Sequence, residues 1–154
     1  MLAGDAAKLY DAVRTSGTET TDVAGAWASC RSASANPFFV AAFETKDKLK
    51  VVASGNAGLR ELRSCGVCTP AAVLFGAFAF WCEGRQRFAF FSWCGAAVGG
   101  IAKGRMGLQK GAAAKAIDGC IADLRFTELA ELEDAAVIAV LEKNSLRGVA
   151  LAPP

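Results

Sequence analysis

The chain has 154 residues, 53% of them hydrophobic, with 17 Lys and Arg against 15 Asp and Glu and no histidine. That length suits one compact domain, and a net charge of +2 is too small for a generic nucleic-acid binder. The lack of histidine removes the commonest general base, metal ligand and physiological pH switch, and the longest apolar run, Ala71–Cys82, is too short to span a bilayer as a helix.

In chain order, Asp5–Arg14 places Ala6, Leu9, Tyr10 and Val13 on one side at helical spacing and predicts a short amphipathic helix. The Ser, Thr, Gly and Ala-rich stretch from Thr15 to Asn36, with Trp27 its one aromatic residue, reads as an irregular excursion. Phe38–Phe43 and Leu49–Ala53 flank the turn chemistry of Asp47 and predict a hairpin. Leu59, Leu62 and Cys65 recur as on the buried side of a short helix. Ala71–Trp81 and Arg87–Trp93 are near-continuous apolar runs around the polar tip Glu83-Gly84-Arg85-Gln86, the pattern of central strands covered on both faces. Ile101–Ala122 predicts the longest helix, with Ala113, Ile117, Cys120 and Ile121 inward. Asp123–Phe126 reads as a short strand, and Thr127 is positioned to cap a last helix striped by Leu129, Leu132, Ala136, Val140 and Leu141. Two hairpins with intervening helices imply an α+β fold: a central mixed sheet of about five strands sandwiched between about four helices.

The chemistry-bearing motifs are sparse. The stretch Met1–Tyr10 lacks a basic segment followed by an apolar one, so a cytoplasmic location is expected. The six cysteines (Cys30, Cys65, Cys68, Cys82, Cys94 and Cys120) are then expected as free thiols. Cys65-Gly66-Val67-Cys68 has the spacing of a redox or half-zinc motif, but no second CxxC accompanies it. Gly55-Asn56-Ala57-Gly58 lacks the Gly-Lys-Ser/Thr that would make it a phosphate loop. Glu131, Glu133 and Asp134 lie at a helix start, where carboxylates meet the helix dipole favourably. No catalytic or metal-binding set emerges.

Several short motifs carry a resemblance. Arg85-Gln86-Arg87 leads into an apolar strand that ends Ser92-Trp93, and Trp93-Cys94-Gly95-Ala96-Ala97-Val98 has the form W-x-G-x-x-V. Lys103-Gly104-Arg105-Met106 opens the long helix, Leu129–Leu141 carries a Glu-Leu-Glu-Asp core, and Leu9–Arg14 is similar to an A-Y-x-x-V-R first helix. In this order the set resembles the actin depolymerising factor/cofilin homology family, most closely the coactosins, with 15–36 having no counterpart in compact members.

The resemblance implies a single domain over residues 1–147, with an irregular insertion at 15–36 and a flexible tail at 148–154. It implies a monomeric, non-enzymatic protein of the actin cytoskeleton that binds actin, filamentous in preference to monomeric, and modulates filament dynamics or capping. No cofactor, metal, nucleic acid or membrane span is implied. The actin-binding residues carried over are Arg85, Arg87, Lys103, Arg105 and Met106. Arg85 and Arg87 alternate with Gln86 and so point to one side, where guanidinium groups can make forked contacts with carboxylates. Lys103 and Arg105 sit two apart at a helix start, both within reach of a neighbouring surface, and Met106 is expected to fill an apolar cleft in the partner. Trp93 is expected in the core. The alternatives are a cofilin-like binder of monomeric actin that promotes disassembly, a scaffold whose actin site has decayed, and, from another class, a redox protein using Cys65 and Cys68.

Overall fold

The computed structural model describes residues 19–45 and 48–154. In order, its elements are α1 (Glu19–Ser32), β1 (Phe38–Thr45), β2 (Lys48–Gly55), α2 (Gly58–Ser64), β3 (Val73–Cys82), β4 (Arg85–Cys94), α3 (Gly100–Ala116) and β5 (Ala122–Phe126). A 3-10 turn (Leu129–Leu132), α4 (Asp134–Lys143) and β6 (Val149–Ala150) complete it. The helix expected at Asp5–Arg14 lies outside the described residues.

The sheet order is β2-β1-β3-β4-β5, with β6 pairing β3. All pairs are antiparallel except β4 with β5. The central hairpin pairs without a break from Val73↔Cys94 to Cys82↔Arg85. Its turn is only Glu83-Gly84, with φ of 52° and 81°, the left-handed pair that matches strand twist in a two-residue hairpin. Arg85 and Gln86, expected at the tip, therefore belong to β4. At Gly76 a Cβ would meet Phe39 O at 2.2 Å, so only glycine lets β1 pair closely with β3 there.

The near-continuous apolar runs are explained by two core layers. On one face Phe38, Val40, Phe78, Phe80, Phe91, Trp93 and Phe126 pack with Leu59 and Leu62 of α2, Leu132, and Val137 and Leu141 of α4. On the other, Phe39, Leu49, Val51, Phe75 and Phe90 pack with Val23, Trp27 and Cys30 of α1 and with Ala113 and Ile117 of α3. A sheet so covered buries both faces, which removes the alternation of a half-exposed strand. This is the expected α+β sandwich of a mixed sheet between helices.

Several local expectations are corrected. The irregular excursion at 15–36 contains a 14-residue helix; Val23, Trp27 and Cys30 recur at i, i+4 and i+7 and are all buried. Packing, rather than the weak propensity of its Thr, Gly and Ser residues, holds it helical. The tail at 148–154 is tied down in part: Val149 and Ala150 pair with Cys82 and Trp81, and Asn36 Nδ2 donates to Leu151 O at 2.6 Å. The long helix stops at Ala116, because the chain turns at Gly119 with φ 94°. Ile121 is consequently exposed rather than inward. Finally, Thr127 does not cap the last helix. Its N–H and that of Glu128 donate to Glu131 Oε1 at 2.6 and 2.9 Å, which closes a 3-10 turn before α4 starts anew after Glu133. On the α4 stripe, Leu129 and Val140 are exposed and Val137 takes the buried place.

Candidate functional site

Arg85 and Arg87 stand at the start of β4 opposite Cys82 and Phe80. Strand alternation puts both on the face of Ala89, Phe91 and Trp93, and both are exposed. Gln86 points the other way and donates through Nε2 to Ala33 O at 3.1 Å. The strand beyond them is rigid: Phe91 and Trp93 are buried, and Trp93 Nε1 donates to Thr69 O at 2.9 Å. Among the described residues no carboxylate lies within 4 Å of either arginine.

Sequence reasoning missed a neighbour of this pair. Cys82 Sγ donates to Arg147 O at 3.1 Å, and Glu83 N–H donates to Gly148 O at 3.1 Å. These bonds hold the exposed Arg147 segment beside the hairpin end, along the edge of β3 away from β4. The signal lay in Gly148, whose φ of 60° turns the chain into β6, but a two-residue strand is invisible to periodicity.

Lys103, Arg105 and Met106 belong to the first half of α3, which starts after the other end of β4. Gly99 precedes it in extended conformation without a side-chain cap, and Lys103 N–H donates to Gly99 O at 3.0 Å. At 100° per residue, Met106, Ala113 and Ile117 share the core side, and Met106 packs half-buried against the second layer. Lys103 and Arg105 fall on opposite flanks. Lys103 lines a cleft with Ser92, Cys94 and Arg125, while Arg105 lines a groove with Phe43, Glu44 and Leu108.

The apolar groups that α3 offers a partner are instead Ile101 and Leu108, 76% and 85% exposed. They flank Arg105 on the solvent side. Their spacing is visible in the sequence, yet it reads equally well as a buried stripe, and only the position of the sheet tells the two faces apart. The two candidate surfaces are also far from each other. Seven residue steps from Arg87 to Cys94 span about 23 Å, and the arginine pair and α3 lie on opposite faces of the sheet.

The CxxC cysteines are free and differ in exposure. Cys65 is exposed and Cys68 buried, and burial, reinforced by the Cys65 charge, pushes the Cys68 thiol up to about 12. An attacking cysteine needs the opposite shift. Of the carboxylates at the last helix, Glu131 closes the turn described above, and Asp134 lies 3.9 Å from Arg63. Among the described residues no group of three or more His, Cys, Asp or Glu is placed to hold a metal ion. No helix there is long and apolar enough to cross a membrane.

The family model described as cofilin/tropomyosin-type actin-binding protein matches residues 18–142. That match begins beyond Leu9–Arg14. Inside it, Ala26-Trp27 followed by Cys30-Arg31 repeats the A-Y-x-x-V-R spacing on α1. No curated protein is matched by the sequence at a significant level. Among solved structures, the chain is similar to human coactosin-like protein, with 20% identity, TM-score 0.68, and 79% of this chain and 93% of that one covered. Coactosin from Entamoeba histolytica is 24% identical, with TM-score 0.68 and coverage of 80% and 93%. Mouse coactosin, described as an actin filament binding protein, is 18% identical, with TM-score 0.59 and coverage of 87% and 88%.

Proposed function

Because the chain belongs to the cofilin/tropomyosin-type actin-binding protein family, we propose that it binds actin filaments as a monomeric module of the cytoskeleton and modulates their dynamics or capping without catalysis. The observation that carries this reading is the pair Arg85 and Arg87, exposed on one face of a strand whose continuation is core. A rigid strand fixes the backbone beneath the two guanidinium groups, and their planar forks suit actin carboxylates. The likeness to mouse coactosin, described as an actin filament binding protein, favours the filament.

Filament co-sedimentation of the wild type beside an Arg85→Ala/Arg87→Ala variant tests it. The wild type should pellet with actin, and the folded variant should bind roughly tenfold more weakly or worse, a loss of about 1.4 kcal/mol. Raising the salt should weaken the wild type more than the variant, since exposed charge contacts are screened. A folded wild type that stays in the supernatant would sink the proposal.

A second reading is favoured by Ile101 and Leu108 beside Arg105: a cofilin-like contact of α3 with monomeric actin. It predicts loss of filament mass on addition of the protein, and loss of that effect in Ile101→Ser/Leu108→Ser. Unchanged filament mass in the pellet speaks for the first.

A further inference from the structure

We infer that the cleft between α3 and the carboxyl ends of β4 and β5 is a binding site for a small free oxyanion of the phosphate class. The cleft has a volume of about 390 Å³, within the range of roughly 300–1,000 Å³ that small-molecule sites occupy. Its charged lining residues, Lys103 and Lys110 of α3 and Arg125 of β5, are all cations. The nearby carboxylate is Asp123, 3.1 Å from Lys110 Nζ; Lys103 and Arg125 have no carboxylate within 4 Å among the described residues. Two of the three cations thus have no such partner among the described residues, and both are exposed, free to turn toward an anion in the cleft.

The floor supplies the independent observation. Ser92 is 1% exposed, and its hydroxyl has no hydrogen-bond partner within the protein. Strand alternation turns it to the α3 side, with Phe90. A buried hydroxyl left unpaired is unfavourable, and an oxyanion reaching the floor would accept a hydrogen bond from it. Met106, unbranched and flexible, is the wall that can yield to let it in. Gly107 lines the cleft, and a Cβ there would meet nothing within 4 Å, so the glycine answers no steric demand of the fold. The hydroxyl is buried rather than displayed at the surface, and this favours a free ligand over a headgroup held in a bilayer plane. The site goes beyond the filament reading and does not depend on it.

The test follows backbone amide NMR spectra of the full chain during titration with inorganic pyrophosphate at constant ionic strength. Saturable shifts should cluster at Ser92, Gly107 and Arg125. Arg125→Ala should weaken binding roughly tenfold, as loss of one charge-assisted partner does, and Ser92→Ala should weaken it measurably. Gly107→Leu should abolish binding by filling the cleft while raising the thermal midpoint, because leucine is the better helix former. No saturation, or binding that survives Gly107→Leu, would overturn the site; in the second case the anion is held by open surface charge. Phosphatidylcholine vesicles doped with phosphatidic acid form the second arm. Cleft-dependent pelleting with vesicles, without any response to pyrophosphate, would assign a bilayer headgroup and overturn the free ligand.

Discussion

Cys65 and Cys68 lie three residues apart in opposite chemical situations. Cys65 sits exposed at the end of α2, its Sγ donating to Leu62 O at 3.2 Å, whereas Cys68 is buried with its thiol pushed up to about 12. Iodoacetamide at neutral pH should therefore alkylate Cys65 well before Cys68, as read by peptide mass spectrometry; comparable rates would contradict the burial of Cys68. Cys30 and Cys120 are likewise raised from 9.0 to about 12, mainly by burial. In all three the native thiol keeps a proton that the unfolded chain releases above pH 9, so the native state binds more protons and stability falls as pH rises. Denaturant midpoints should be insensitive to these groups below pH 9 and decline between 9 and 12, with a shallower decline in Cys30→Ala. Spacing alone makes the CxxC visible in the sequence, but burial decides its chemistry. The same holds for Met106, whose type suits a partner's cleft and whose place on α3 turns it to the core.

At the scale of elements, α1 is held by Trp27. The indole is buried, donates through Nε1 to Asp118 O at 2.9 Å, meets Phe88 edge-on at 5.1 Å and lies beneath the Arg31 guanidinium at 5.0 Å. Trp27→Ala should cost about 3–5 kcal/mol in urea denaturation, as large aromatic truncations in cores do. Trp27→Tyr keeps a ring but loses the indole donor and should cost less. A near-neutral Trp27→Ala would mean that α1 is not part of the cooperative fold. On α3, Gly111 has open space around a would-be Cβ, so Gly111→Ala should stabilise by about 0.5–1 kcal/mol in the same assay. The strands and α2 were legible because their apolar patterns are dense. Helix α1 was not, since three inward residues among Ala, Gly, Ser and Thr make little periodic signal.

For the whole molecule, the placement of the arginine pair and α3 on opposite faces about 23 Å apart along β4 has a measurable consequence. With no shared contacts, their contributions to binding should be independent. The combined Arg85→Ala/Arg87→Ala/Ile101→Ser/Leu108→Ser variant should lose the product of the two separate fold-changes. All four positions are exposed, so its stability should stay within roughly 0.5 kcal/mol per substitution of the wild type. Two measurable single losses whose combination is no larger than either alone would mean that the surfaces are coupled rather than independent. The sequence by itself determined what depends on near neighbours: the apolar runs of the central hairpin, the common side of Arg85 and Arg87, the buried Trp93 and the order of strands and helices from Phe38 onward. Tertiary structure decided what depends on distant ones. It made α1 a helix by giving Val23, Trp27 and Cys30 a sheet to cover, drew the last residues into β6, and set Lys103 and Arg105 on opposite flanks of α3. Local patterning constrains which side chains share a face, but only the packing of remote segments determines what that face meets.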